Sequence, residues 1–373
     1  MMRKPELRSI PSAHKVMDHL SEIIEKFALD GGIAEVKEHG TGHIHGTYAV
    51  TTDKGTRYIL QRINEVTFRN VPELMENITG ITGYLREKIA DDSRCLIVIP
   101  LKNGDSWYRD ETGAYRMFNF IEDTLSLDLP ESPADFYESA VGIGTFQQNL
   151  LGYPVEKLHE AIPNFHNTPD RYRLFHEMLR KDPVGRAKEV QPEIEFYLSH
   201  EEEMGTLQRM RETGELPTRV THNDTKLNNV LLDKTTRKAK CVIDLDTVMP
   251  GLSLYDYGDA IRFGASTAAE DEKDLSKVEM DLSMFRIYTE GFLRACPGLT
   301  ENEIAMLPMG VKTMTCECGL RFLTDYLDGD HYFTVHYPEQ NLDRTRTQIR
   351  LVQDMEKKWE EMRRIVREIA EQK

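Results

Sequence analysis

The sequence predicts an α+β chain of two lobes: a small N-terminal lobe of antiparallel sheet plus helices, then a larger, mostly helical lobe. Three observations carry that reading. Between residues 38 and 120, β-rich runs alternate with Gly, Asn and Asp turns, the pattern of antiparallel hairpins. After residue 123, apolar residues recur mainly at helical spacing. Inside the helical lobe, a short hairpin over residues 221–246 gathers oxygen-bearing side chains beside its loops. The lobes are drawn at 1–120 and 121–373, and 373 residues suffice for two sizeable cores.

The elements follow in order. Val16, Leu20, Ile23, Ile24 and Phe27 are spaced for an amphipathic helix over about 13–29. Glu38 to Val50 reads as strand, glycine-rich loop and strand, and the turn Asp53-Lys54-Gly55 leads to a third strand, Thr56–Arg62. A helix over about 71–90 opens with Pro72 in its first turn, against the weakening effect of Gly80 and Gly83. Leu96–Leu101 is expected as a strand, Asn103-Gly104-Asp105 as a hairpin turn, and Ser106–Tyr108 with Ala114–Phe120 complete the sheet. Phe136, Val141, Ile143, Phe146 and Leu150 mark a helix whose Gly142 and Gly144 predict a closely packed neighbour. Thr168 and Pro169 read as cap and first turn of another helix, and Gln191–Glu212 as one charged helix stopped by Gly214. The tail seam Leu351, Met355, Trp359, Met362, Val366 and Ile369 is expected to pack on its own large lobe, giving a monomer.

Composition narrows the function classes. A formal net charge of −16 argues against a general nucleic-acid partner. No apolar run is long enough for a membrane span, and no apolar segment follows the basic residues near Met1. Five scattered cysteines suit free thiols in a reducing compartment, so a cytoplasmic location is expected.

The hairpin runs Thr221-His222-Asn223-Asp224-Thr225-Lys226-Leu227-Asn228-Asn229, then returns to Asp244-Leu245-Asp246. His222, Asp224 and Asn229 stand as H-x-D-x-x-x-x-N, the spacing of a kinase catalytic loop, and Asp244 follows where such enzymes place a metal-binding Asp. Phosphoryl transfer needs one carboxylate to orient an attacking hydroxyl and accept its proton. It also needs an amide and a second carboxylate to hold Mg²⁺ against phosphates. Asp224 is the candidate base; Asn229, Asp244 and Asp246 are the candidate metal ligands. Lys226 is placed to reach the transferred phosphate or to stay solvated, and His222 to pack beneath the loop. Upstream, Gly40, Thr41 and Gly42 open a loop in which backbone N–H groups can approach phosphate oxygens. At the position where kinases carry a strand lysine stands Gln61, with Arg62 beside it on the other face.

The Thr-His-Asn-Asp stretch resembles the aminoglycoside phosphotransferase and choline kinase superfamily. Val220–Asn229, Ile243–Gly251, Tyr255–Asp259, Ile261–Ser266, Glu270–Lys277, Cys318–Leu327 and Tyr337-Pro338-Glu339 are similar to N-acetylhexosamine 1-kinases. The resemblance implies a bilobal, protein-kinase-like fold and ATP-dependent phosphorylation of the 1-hydroxyl of GlcNAc or GalNAc. It implies a nucleotide site at Gly40, Thr41, Gly42 and Gln61, with a hinge at Asn119, Phe120 and Ile121 whose backbone meets the adenine. It implies substrate contacts from His43, Arg262, Phe263, Arg321 and Tyr337, and a bracing role for Asp256. Three alternatives stay open. One is a kinase for another alcohol, of choline, aminoglycoside or homoserine type. Another is a non-catalytic nucleotide-binding regulator, prompted by Gln61. The third is glycosyl transfer through Asp244-Leu245-Asp246. For Arg321 a salt bridge to Asp325, four residues on, competes with a sugar contact.

Overall fold

The computed structural model describes residues 13–40 and 45–372. The chain divides into two compact units, Met1–Glu122 and Asp123–Lys373. The architecture is α+β, with antiparallel sheet concentrated in the first unit and helices dominating the second.

In the first unit, α1 (Ala13–Ile24) precedes β1 (Ile33–Glu38), β2 (Gly46–Thr52) and β3 (Arg57–Arg62), and α2 (Val71–Lys88) precedes β4 (Tyr108–Asp110) and β5 (Gly113–Asn119). The five strands form one antiparallel sheet in the order β1-β2-β3-β5-β4. Alternation along the strands sends Tyr48, Val50, Tyr58, Leu60, Tyr115 and Met117 to one face. There they pack with Leu20, Ile23, Ile24 and Phe27. Thr47, Gln61 and Arg116, directly opposite one another in register, occupy the other face. The expected helix over 13–29 stops at Ile24, and Phe27 instead bridges Leu101. The expected strand Leu96–Leu101 is reduced to isolated bridges at Val98 and Leu101. Ile99 still donates to the Met117 carbonyl at 2.8 Å, and a side chain extends the pairing: Asn119 Oδ1 accepts from the Ile97 N–H at 2.7 Å, and Asn119 Nδ2 donates to the Cys95 carbonyl at 2.9 Å. In α2, Asn70 caps the N-terminus and Pro72 sits in the first turn. A Cβ at Gly83 would touch nothing, so that glycine interrupts no packing.

The second unit contains β6 (Thr124–Leu125), β7 (Arg219–Thr221), β8 (Val230–Asp233), β9 (Ala239–Val242) and β10 (Met249–Gly251). They form a three-stranded sheet, β6-β8-β9, and the pair β10-β7. Around them lie α3 (Pro133–Leu150), α4 (Thr168–Lys181), α5 (Gln191–Met204), α6 (Thr206–Glu212) and α7 (Ser253–Gly264), then α8 (Leu282–Ala295), α9 (Glu301–Ala305), α10 (Leu307–Asp328), α11 (Gln340–Lys357) and α12 (Trp359–Ala370). α10 is buried along most of its length and packs against α4, α7 and α11. A Cβ on Gly310 would lie 2.7 Å from the Leu254 carbonyl oxygen, so that glycine lets α10 and α7 meet backbone to backbone. On α3, a Cβ at Gly142 would meet Val230 and one at Gly144 the Phe292 carbonyl, matching the close neighbours expected.

Three boundaries differ from the sequence expectation. The helix over 191–212 breaks at Gly205, where Arg209 reaches back to the Glu202 carbonyl. The cap of α4 is Asn167 rather than Thr168, because the Thr168 hydroxyl donates to Glu317 at 2.6 Å. The tail breaks at Lys358, whose ammonium pairs with Asp354 and the Met280 carbonyl. On both sides of that break Leu351, Met355, Met362, Val366 and Ile369 remain buried in the core of their own unit. Among the described residues, no helix is long and apolar enough to cross a membrane.

Candidate active site

The loop carrying Asp224 leaves β7 and is fixed from below by α7. The buried Asp256 carboxylate accepts from the N–H of His222 at 2.9 Å and of Asn223 at 2.7 Å, and Gln147 donates to it at 2.7 Å. Thr225 donates to the Asp256 carbonyl at 2.7 Å. Burial pushes the Asp256 carboxyl up, against the pull of His222 and of these N–H donors. Asn223 adopts a left-handed backbone, φ 65°, and its Nδ2 donates to the Thr247 carbonyl at 2.8 Å. His222 ties the two arms of the hairpin together. Its Nε2 lies 2.8 Å from the Ile243 carbonyl, and the Asp224 N–H lies 3.4 Å from its Nδ1. One ring nitrogen thus faces an acceptor and the other a donor.

Three carboxylates, Asp224, Asp259 and Asp244, act on one ammonium. Lys226 Nζ lies 3.1 Å from Asp224 Oδ1. Burial pulls the Lys226 pKa down, but the charges of Asp224, Asp259 and Asp244 outweigh it and hold the lysine above its usual value. Asn229 donates its Nδ2 to the Asp224 carbonyl at 2.9 Å, which turns its Oδ1 away from that bond. Asp244 sits in a left-handed conformation, φ 59°, just before a short 3₁₀ turn containing the buried Asp246. Carboxylates and amide oxygens are the hard donors that Mg²⁺ prefers. Among the described residues, a separate His–carboxylate cluster, His200, Glu203 and Glu356, lies elsewhere. Its cation is already present as Lys312, 2.8 Å from Glu203 and 2.9 Å from Glu356.

On the first unit, Gly40 has the left-handed φ of 77° expected at the mouth of a glycine loop. Thr41, Gly42 and His43 lie outside the described residues. Gln61 Oε1 accepts from Arg116 Nε at 3.0 Å and Nη2 at 2.8 Å. Arg62 points to the opposite face, beside Gly113. Sequence reasoning misses Arg116; nothing in its local pattern separates it from an ordinary strand residue. At the expected hinge, two backbone donors are already engaged. The Asn119 N–H is spent on the Ile97 carbonyl and the Phe120 N–H on the Arg57 carbonyl, both at 3.1 Å. These two donors are committed within the unit and do not offer themselves to an adenine. The Arg57 guanidinium lies 3.9 Å from the Phe120 ring centroid, and the Ile121 side chain is buried.

The residues expected to meet an acceptor fall into two groups. Arg262 is buried with Nε 3.1 Å from Asp259 and Nη1 2.8 Å from Glu270, so its charge is spent inside the protein. It positions Asp259 and does not project as a sugar ligand. Burial raises the Asp259 carboxyl, but Arg262, His166 and Lys226 together hold it below its usual value. Phe263 is half-buried at the end of α7. Arg321 makes no salt bridge with Asp325. The Asp325 carboxylate accepts instead from the N–H groups of His331, Tyr332 and Phe333 at 2.9, 2.7 and 3.0 Å, and from Asn341 at 2.8 Å. Arg321 lies over the rings of Phe165, Tyr332 and Phe333, 5.4 to 5.6 Å from their centroids. Nearby, burial and then the Arg321 charge draw Arg171 below the usual guanidinium value. Tyr337 donates toward Asp271 at 3.4 Å under the Lys273 ammonium; burial, then Asp343, push its phenol up to about 12.

The profile of the phosphotransferase enzyme family matches residues 35–277. Solved structures with the same fold include an aminoglycoside phosphotransferase from Alicyclobacillus acidocaldarius, 13% identical, with a TM-score of 0.54 over 98% of this chain and 97% of that one. A microcompartment-associated aminopropanol kinase is 14% identical, with a TM-score of 0.55 over 93% and 98%. A spectinomycin phosphotransferase solved with ADP and spectinomycin is 10% identical, with a TM-score of 0.58 over 89% and 97%.

Proposed function

The chain belongs to the phosphotransferase enzyme family, and we propose that it transfers the γ-phosphoryl group of ATP to the anomeric hydroxyl of an N-acetylhexosamine, GlcNAc or GalNAc. The observation that carries phosphotransfer is the Asp224 loop. Its backbone is fixed by a buried carboxylate, and its side chain stands in a field shared with Lys226, Asp244 and Asp259. The sugar rests on the resemblance of Ile261–Ser266 and Cys318–Leu327 to hexosamine 1-kinases.

In this reading Asp224 aligns O1 and takes its proton as the bond from O1 to the γ-phosphorus forms and the bond to the β–γ bridging oxygen breaks. The ring oxygen makes the anomeric hydroxyl more acidic than an ordinary alcohol, so geometry matters more than base strength. Asn229 and Asp244 would hold Mg²⁺, with Asp246 behind them; the metal supplies charge neutralisation at the phosphates. Lys226 offers a cation that can pass from Asp224 to the transferred group.

Phosphorus NMR of a reaction with MgATP and either hexosamine tests the proposal, because the new phosphate must couple to the anomeric proton. Asp224→Asn should lower turnover by a factor of about 10²–10⁴ while the protein still binds nucleotide. Near-normal turnover in that variant would sink the assignment. Phosphate appearing on choline, an aminoglycoside or homoserine instead would move the enzyme within its family. The choline variant is disfavoured by the arginine already lying over the aromatic rings, which would repel a quaternary ammonium. A chain that binds ATP but releases no ADP with any acceptor would be a regulator.

A further inference from the structure

We propose that the small cavity between α3, β7 and the start of α7 is a water site, and that its water, held between Gln147 and Ser253, positions the Asp224 loop through Asp256. The cavity measures about 40 Å³, and its lining includes Gln147, Ser253, Thr218 and Val220, with Leu150 and Leu151 as apolar walls. Two of these residues carry orphaned atoms. Among the described residues, neither Gln147 Oε1 nor Ser253 Oγ has a hydrogen-bond partner, although both atoms are buried. Gln147 is 2% exposed and Ser253 1%. A buried polar atom is seldom left without a partner, and two on the wall of one cavity call for something that bridges them. They do not bond to each other, so the bridge is a third body. A cavity holds a water when it offers about 10–15 Å³ and at least two polar partners, and this one meets both conditions. A metal ion would find two neutral oxygens, with Arg219 on the same wall, which is a poor set of ligands.

The orientation of the amide gives the water its role. Gln147 Nε2 donates to Asp256 Oδ2 at 2.7 Å, and the same oxygen accepts the His222 N–H at 2.9 Å. Reversing the amide would turn Oε1 toward that carboxylate, acceptor against acceptor. A water that donates to Oε1 opposes the reversal and keeps Nε2 on Asp256. Ser253 opens α7, and Asp256 lies one turn further along it. One helix therefore supplies both the anchor of the water and the carboxylate that braces the loop. The contacts run from Ser253 through the water to Gln147, then to Asp256 and the N–H groups of His222 and Asn223. Gln147 and Ser253 are positioning residues, acting on Asp224 only through the loop.

A high-resolution crystal structure of the full chain tests the site directly. The expected result is an ordered water within hydrogen-bond reach of both Gln147 Oε1 and Ser253 Oγ. A dry cavity, or a water that meets only one of the two, overturns the proposal. The effect on the loop is read by amide hydrogen exchange in Ser253→Val, whose branched side chain occupies the space of the water. The His222 and Asn223 N–H groups are expected to exchange about tenfold faster than in the wild type, with the amides of α8 and α10 unchanged. Acceleration across the whole unit would mean a general loss of stability, and no acceleration would mean that the water holds nothing; either result overturns the positioning role. If Ser253→Val does not fold, Ser253→Ala keeps the space and removes one anchor. The same selective acceleration then supports the proposal, and uniform or absent acceleration refutes it. Neither readout needs a substrate. A chain that shows the water and the selective exchange but transfers no phosphate would overturn the kinase reading alone.

Discussion

Two loops of the second unit are each held by one carboxylate on a neighbouring helix, and they differ in what surrounds that carboxylate. Asp256 on α7 gathers the N–H groups of His222 and Asn223 in a fully buried setting, with Gln147 as its third donor. Asp325 on α10 gathers three successive N–H groups, from His331 to Phe333, under a segment whose Tyr332 is 68% exposed. The first loop presents Asp224, and its geometry is over-determined: His222, Asn223 and Thr225 each add a further bond. The second presents aromatic rings to Arg321, and water can reach it. The catalytic base proposed for Asp224 would have to be held within a fraction of an ångström. A surface that recognises an acceptor can tolerate adjustment.

Breaking the buried loop should therefore cost most. Asp256→Ala leaves two backbone N–H groups and the Gln147 amide without their acceptor in a site water does not enter. At about 1–3 kcal/mol for each buried unsatisfied group, we expect about 3–5 kcal/mol of lost stability in a denaturant titration. Turnover in the folded fraction should fall about 100-fold as Asp224 drifts. A variant with wild-type stability would show that the loop does not depend on α7. Asp325→Ala should do less, about 1–2 kcal/mol, because the three freed N–H groups lie on an exposed segment and can turn to solvent, leaving the buried Asn341 amide as the one donor without that acceptor. Its expected signature is a rise of about tenfold in acceptor KM with nucleotide KM unchanged. Equal effects on both substrates would erase the distinction between the two loops.

The same contrast explains what could be read from the chain. The α+β class was legible because strand alternation, turn residues and helical spacing are local signals. The Asp224, Asn229 and Asp244 set could be proposed from the sequence because phosphotransfer chemistry asks for such residue types at such spacings. Arg116 was invisible as the partner of Gln61: only strand pairing brings it opposite, from 55 positions away. Asp325 was misread for a related reason. Its spacing from Arg321 satisfies the rule for a helical ion pair, yet it lies at the end of α10, where three N–H groups of the following segment outcompete one guanidinium. Arg262 was read as a ligand because its neighbours in sequence resemble a sugar site; Asp259 and Glu270 use up its charge. The strand expected at Leu96–Leu101 shrinks to a bridge at Val98, flanked by backbone bonds of Ile97 and Ile99 to β5, with the Asn119 side chain holding Cys95 and Ile97 at its edge.

The smallest effect expected concerns the group that links the two regions. Glu317 lies on α10, two turns before Asp325, and accepts from His166 at 2.8 Å and from Thr168 at 2.6 Å. The other nitrogen of His166 lies 3.2 Å from the Asn223 carbonyl, next to Asp224 in the chain. Burial raises the Glu317 carboxyl, but His166, Arg171 and Thr168 outweigh it and hold the group below its usual value. A folded-state value below the unfolded one means that the ionised form stabilises the fold. That contribution is complete above the unfolded carboxyl value, about pH 4.3, and drains away as the pH falls through the lower folded value. Glu317→Gln keeps the size of the side chain and lets the Thr168 hydroxyl reverse its role. Thermal melts from pH 7 to pH 3 should show the wild type losing stability more steeply than the variant below about pH 4.3. Parallel curves across that window would mean that His166 holds the Asn223 carbonyl without help from a charged partner.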